Sequence, residues 1–458
     1  LSNPFMFKSA ATATGFYSYQ ISNSLRFNGS SHALEQSFSS TPSNADAKAI
    51  SVWIKRSGPS TGNSAIGSTT NTKICSASTG NGAVSTMLEI NTNNPTGYSD
   101  QFHYYLSSGG ANYLKAKWRD PSAWMHIVWI YNSDESTTTD RVKVYINGVS
   151  NTINDSTYWD NDGNNGYPAS GADTAFGLNG NEMHIARYVY DDGGWWGGQM
   201  ADFIMIDGTA SISDFGETHN GVWRPKDPSG LTFGTNGFWL KFTNASNPGE
   251  DFSGNDNDFT NIGSIPTSAT TSDSPTNNFP TYNPLNKGSY TDLTEGNLRA
   301  DSNTGSDASY PSGTVGFPSS GKWYYEQLIG NLTNSYPTTF LVSYGAEEPD
   351  TANRGMFWAM RYRSDTGDVA QSSGEAIAPF GTITVNNTSV ASLATGDIVS
   401  WYIDMDNKKA WIAKNGSIPN SGDPANGTNP QFSWTVNPVN GFTFGSQEYQ
   451  TSFTVFNG

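Results

Sequence analysis

Val399-Ser400-Trp401-Tyr402-Ile403-Asp404-Met405-Asp406-Asn407-Lys408-Lys409-Ala410-Trp411-Ile412-Ala413-Lys414-Asn415-Gly416 decides the fold of this chain. Large apolar side chains alternate with other residues on both sides of an Asp-Asn-Lys-Lys turn, the pattern of a β-hairpin with one buried face. A second run of the same kind lies far upstream. It reads Trp124-Met125-His126-Ile127-Val128-Trp129-Ile130-Tyr131, an acidic Thr-rich loop, then Arg141-Val142-Lys143-Val144-Tyr145-Ile146-Asn147-Gly148. Each half of the 458-residue chain therefore has a Trp-rich hairpin ending in Asn-Gly. The expected fold class is all-β, with two antiparallel β-sandwiches in tandem.

Around these hairpins, alternating strand signals recur at Ala49–Lys55, Met87–Ile90, Phe102–Leu106, Met183–Arg187, Gly198–Ile206 and Gly237–Phe242. In the second half they recur at Gly321–Leu328, Thr339–Gly345 and Met356–Met360. No long segment keeps a 3.6-residue apolar period, and only Ser211–His219 suits a short helix. Residues 1–22 read as an N-terminal arm or docking segment, 23–262 as the first sandwich and 301–458 as the second. Between them, residues 263–300 are rich in Ser, Thr, Asn and Pro and read as a semi-stiff extended linker.

Charged residues make up 14% of the chain, against roughly 25% in ordinary soluble proteins, so Ser, Thr, Asn and Gly must keep the surface wet. Aromatics at 13% supply ample core. A net charge of −17 argues against nucleic acid and anionic membranes as partners. The single cysteine, Cys75, excludes an intrachain disulfide framework and reads as a small buried apolar residue. Leu1–Lys8 has no basic segment leading into an apolar run, so no secretory signal is expected there, and no window suits a membrane span.

The first half resembles the concanavalin A-like jelly rolls of the laminin-G and pentraxin type. Ser51–Lys55, Trp124–Val128, Val142–Gly148 and Gly197–Phe203 carry that resemblance, in the family's order. The second half resembles a SPRY domain through Gly321–Glu326, Thr395–Val399 and Ile412–Gly416. The tandem, joined through Asp273–Phe279, is similar to bacteriophage tail-fibre or capsid-fibre proteins. That resemblance implies a virion surface protein, assembled in the host cytoplasm and placed on tail or capsid. It implies other virion proteins as partners through the N-terminal arm, host surface polysaccharide as ligand, and a homo-oligomer such as a trimer. The rival reading is a purely architectural virion subunit; a third is a glycan depolymerase.

Enzymatic signatures are missing. Glucanases of this fold place carboxylates at alternate positions of one strand; here Asp404-Met405-Asp406 is the nearest pairing, at a hairpin turn with no third carboxylate. The five histidines show no metal spacing, and His126, inside a strand, reads as structural. A non-enzymatic protein is expected, with no required cofactor. Bound Ca²⁺ is admitted by Asp160, Asp162 and Asn164, and secondarily by Asp251–Asp258, although Asx-rich turns also form for backbone reasons alone. For a glycan the candidates are Tyr188, Tyr190, Asp191, Asp192, Trp195 and Trp196, in a loop between strands where aromatic faces could stack on sugar and Asp could accept hydroxyl hydrogens. The alternative there is packing of the tryptophans against the sandwich edge or a neighbouring subunit. Loops at Glu347–Asp350 and Ser421–Pro424 are candidate protein-contact loops in the second half.

Overall fold

The strand Ala47–Arg56 is buried at every one of its ten positions, and so is Gly197–Ile206. Side chains alternate between the two faces of a strand, so both faces of this sheet must be covered. The computed structural model describes residues 16–57, 72–78, 84–90, 100–106, 110–151, 153–154, 166–189, 193–287, 290–302, 308–331, 338–343, 360–363, 369–371, 381–388, 390–438, 441–449 and 453–457. The chain divides into two units, Ser9–Asn278 and a second that runs from Phe279 to Gly458. Among the described residues, no helix is long and apolar enough to cross a membrane.

In the first unit one antiparallel sheet runs Val149–Asn151, Val142–Ile146, Met125–Asn132, Ala47–Arg56, Gly197–Ile206, Ser24–Asn28 and Thr270–Thr271, with Phe238–Leu240 also on Gly197–Ile206. The other runs Ile153–Asn154, Gly110–Lys117, Gln101–Leu106, Val84–Ile90, Thr72–Ser78, Glu182–Ile185, Ala33–Ser37 and Thr260–Ile262. Ile50, Val52, Ile54, Ile127 and Trp129 from the first meet Ile74, Leu88, Ile90, Phe102 and Met183 from the second in one apolar cluster. Cys75 lies in that cluster with no exposed surface, as its neighbours Ile74 and Ala77 do.

The outer face of the first sheet is covered as well. Ala49, Val128, Ile204 and Ile206 pack with Phe215, Phe233 and Trp239, while Trp53 and Ala201 pack with Ile21 and Trp124. Trp53 is thus buried, but away from the inter-sheet core. The helix is Ile212–Phe215, shorter than the stretch that suited one. A Ser211/Asp214 capping box starts it, and Gly216 turns extended to begin a hairpin of Gly216–His219 with Val222–Pro225. Residues 16–22, expected as a docking arm, lie on their own unit: Tyr19 and Ile21 pack there, and Ile21 and Thr276 exchange hydrogen bonds. Residues 1–15 lie outside the described residues.

The stretch expected as a linker is divided between the units at Asn278 and Phe279. Thr270–Thr271 adds a strand beside Ser24–Leu25, Ala269 enters the core, and Asp273 pairs with Lys55 at 2.9 Å. Thr291–Thr294 and Arg299–Ser302 are strands of the second unit. Polar side chains here satisfy the protein's own backbone and buried charges, as at Thr276 and Asp273, while Ser264, Thr267, Ser268 and Ser272 stay exposed.

Asp202 sits at a bulge of the Gly197–Ile206 strand with φ +50°, and its carboxylate accepts from Trp239 Nε1 and Tyr19 Oη. Burial pushes its pKa up to about 7. The native state therefore binds a proton more tightly than the unfolded chain between pH 3.8 and 7, and stability falls as pH rises through that window. Asp202→Asn keeps an acceptor, tolerates positive φ and removes the buried charge. It is expected to stabilise the first unit by about 3 kcal/mol at pH 8, with little effect at pH 4, in urea melts.

The second unit is again two antiparallel sheets. One runs Thr291–Thr294, Arg299–Ser302, Phe453–Asn457, Lys322–Asn331, Ile398–Asp404, Lys409–Lys414, Phe432–Trp434 and Ile383–Val385. The other runs Ala308–Ser309, Phe442–Tyr449, Thr338–Ser343, Met360–Arg363 and Val369–Gln371. Trp401 is stacked between Tyr325 and Phe432, with ring centroids 6.1 and 5.9 Å away. Both Asn-Gly turns place two successive residues at positive φ: Asn147 and Gly148 at +49° and +76°, Asn415 and Gly416 at +49° and +77°. That is the turn type matched to strand twist, and it explains the shared signature. At Gly148 a side chain is also excluded by the Trp223 ring.

Candidate functional site

The segment 193–196, part of the expected glycan loop, folds onto the sandwich. Tyr188 N–H donates to Gly193 O, Lys73 N–H to Gly194 O and Trp196 N–H to Ala186 O. These bonds draw both tryptophans inward, leaving Trp195 6% and Trp196 1% exposed within the core cluster. A ring so enclosed offers no face to a sugar, so the packing alternative holds for both. Tyr188 is half-buried, with Lys73 Nζ 5.1 Å above its ring. Tyr190, Asp191 and Asp192 lie outside the described residues, as do the calcium candidates Asp160, Asp162 and Asn164 and the Glu347–Asp350 loop.

Other carboxylates singled out in the sequence are occupied by local structure. Asp251 accepts from the N–H groups of Trp239, Ser253 and Asn257, and Asp258 accepts from Asp251 N–H. Asp404 accepts from Asn407, Asp406 from Gly321 N–H, and Asp423 from Ala425 and Asn426. Asp404 and Asp406 thus shape the hairpin turn rather than face one another across a cleft.

The structure brings forward a different place. A cavity of about 340 Å³ opens at one end of the first unit, lined by Ile54, Arg56, Lys117, Trp118, Arg119, Asp120, Ala123, Trp124, Met125 and Asn147. Two of its three cations are anchored by Asp100, 1% exposed, which accepts from Arg56 Nη1 at 3.1 Å and Arg119 Nε at 2.7 Å. Arg56 also donates to Trp118 O, fixing the backbone beside the indole. Trp124 Nε1 donates to Asp273 at 2.9 Å, so that ring is held rigid, and Asn147 Oδ1 accepts from His126 N–H at 2.8 Å. Arg119 remains available, its side chain 56% exposed beyond its Nε contact, whereas the indole N–H of Trp118 is buried without a hydrogen-bond partner among the described residues. The lining thus combines indole surface, three cations, one carboxylate and an amide, in a chain of net charge −17. The sequence held a signal for it: Lys115, Lys117 and Arg119 place three cations within five residues, next to Trp118, and nowhere else are cations so dense.

Beside the cavity, His126 is 1% exposed and fully engaged. Its ring lies flat on Trp53 at 4.4 Å, Nδ1 accepts from Trp223 Nε1 at 2.9 Å, and Nε2 is 2.8 Å from Ser51 Oγ. Trp223 cannot accept, so Nδ1 carries the lone pair and Nε2 the proton. His126 is a structural residue of the outer face.

No protein-family model matches the sequence, and no curated protein matches it. Solved structures similar to it include a heptameric SAP-like pentraxin from Limulus polyphemus, 13% identical over 43% of this chain and 81% of that one, TM-score 0.30. The SPRY domain of human HERC1 is 13% identical over 38% and 96%, TM-score 0.29. A Bacteroides ovatus protein assigned as carbohydrate binding is 13% identical over 54% and 59%, TM-score 0.35. These likenesses are of fold alone.

Proposed function

We propose that this chain is a non-enzymatic binding protein whose first unit takes a saccharide in the cavity between Trp118 and Trp124. The observation that carries the reading is the lining of that cavity. The half-buried Trp118 indole complements the C–H face of a pyranose, with Trp124, 8% exposed, as part of the rigid wall, while Arg119, Asp120 and Asn147 supply donors and acceptors for hydroxyls. Its volume falls in the range of small-ligand sites, about 300–1,000 Å³. The rigid anchoring of Arg56 and Trp124 lowers the ordering cost of binding. The wider setting is a virion surface, with this chain as a fibre or decoration subunit touching host envelope glycan. It rests on the likeness of the tandem to phage fibre proteins and on a surface rich in hydroxyl and amide side chains but poor in charge.

Calorimetric titration of envelope oligosaccharides is expected to give saturable binding that Trp118→Ala and Arg119→Ala each weaken at least ten-fold, measured below the lowered melting temperatures these variants should show, where circular dichroism reports both as folded. Absence of binding to every oligosaccharide tried would reject the reading and leave the architectural one. Release of reducing sugar would replace it with the depolymerase.

A further inference from the structure

Glu35, Glu182 and His184 meet on the outer face of the second sheet of the first unit. Glu182 and His184 are two apart on one strand and so share a face, and His184 stands directly opposite Glu35 in the ladder to Ala33–Ser37. His184 Nε2 lies 2.8 Å from Glu182 Oε1 and 3.6 Å from Glu35 Oε2, and the three donor atoms fall within 4.8 Å of one another. The imidazole is 5% exposed and forms the floor, while the carboxylates, 40% and 43% exposed, form an open rim. Among the described residues neither carboxylate is paired with a Lys or Arg. Two anionic groups therefore converge on one nitrogen with no fixed cation between them, on paired strands that hold their spacing.

We propose that Glu35, Glu182 and His184 form a binding site for a divalent first-row transition ion of the Zn²⁺ type. One imidazole nitrogen with two carboxylate oxygens suits Zn²⁺ or its neighbours, whereas Ca²⁺ favours a larger all-oxygen shell. Three protein ligands leave a further position for water or an outside ligand. His184 Nδ1 is buried without a hydrogen-bond partner among the described residues, which supply no orienting contact of the kind that usually strengthens a metal-bound imidazole. Binding weaker than at a site with that contact follows. Sequence spacing could not show this site, because Glu35 and His184 are brought together only by strand pairing.

The full chain, freed of metal by chelation, is titrated with Zn²⁺ by calorimetry and with Co²⁺ by visible absorption. The expected result is one equivalent bound and a Co²⁺ spectrum of mixed nitrogen and oxygen ligation, neither displaced by millimolar Ca²⁺. Glu182→Gln retains an acceptor for His184, and Glu35→Gln removes only charge, so both should fold; each is expected to weaken binding at least ten-fold. His184→Gln is expected to abolish the Co²⁺ spectrum. No binding by the parent chain, or unchanged binding in both folded Gln variants, overturns the proposal whether or not the His184 variant folds.

Discussion

Acidification from pH 6.5 toward pH 3 is expected to remove about 5 kcal/mol of stability from the first unit through His126 alone. Burial lowers this imidazole from its ordinary 6.5 to about 3. Between those values the unfolded chain holds a proton that the native state refuses. Stability is therefore complete above pH 6.5 and declines as pH falls. The contacts explain why the ring stays neutral. Protonation would put a second N–H at Nδ1, pointed at the N–H of Trp223, in a site covered by Trp53. Over the first part of the window, from pH 6.5 to 5, the loss is about 2 kcal/mol. Urea melts followed by near-ultraviolet circular dichroism, which reports the packed tryptophans, measure it. Asp202 stabilises the same unit as pH falls through this window, so the His126 contribution is read as the difference between the parent and His126→Gln. His126→Gln should be less stable at pH 7 and the gap should narrow toward pH 5; a gap constant from pH 6.5 to 5 would contradict the assignment.

Glu89→Gln is expected to cost about 3–5 kcal/mol, the loss typical when one partner of a buried ion pair is removed. Glu89 lies in the middle of a cross-strand row, opposite Lys73 on one side and His103 on the other, and hydrogen bonded to both. Burial alone would raise its pKa, but the attraction of Lys73, then of His103, outweighs it and holds the carboxyl at about 2. The sign is opposite to that of Asp202: the stabilisation is present above pH 4.5 and vanishes as pH falls through about 2. Replacing Glu89 by Gln leaves the Lys73 ammonium, 7% exposed, without its buried counter-charge. The double variant Glu89→Gln/Lys73→Met should recover most of the loss, because an apolar side chain there carries no desolvation cost. A single-variant cost below about 1 kcal/mol in chemical melts would show that Lys73 reaches solvent without Glu89.

Much of this architecture is legible in residue order, and the reason is periodicity. Ile50, Val52 and Ile54, or Trp401 and Ile403, alternate because one face of each strand must enter a core. The Asn-Gly ends are legible because few residue pairs accept two consecutive left-handed positions. Thr72–Ser78 carries too little apolar bulk to stand out, yet every position is buried, since its neighbours cover it. Trp195 and Trp196 misled because a glycine-rich stretch between strands resembles an exposed loop, whereas backbone bonds to Ala186 and Lys73 pin it down. The cavity is half legible: its cations and Trp118 are adjacent in sequence, but Arg56, Trp124 and Asn147 join them only through the fold. Register across strands has no trace in composition, and so the Glu35, Glu182 and His184 cluster had none.

The pairing of Ser24–Leu25 with Thr270–Thr271, together with the Lys55–Asp273 bridge, has a consequence for how the chain is made. Ser24–Asn28 finds its outer partner only after some 245 further residues have been made, about 12–50 s later at ordinary rates of elongation. Through that interval its free edge is a template for foreign strands, and dense non-local pairing keeps closure slow afterwards. The first unit is thus a late-closing fold, with its greatest hazard of misassembly during synthesis rather than after it.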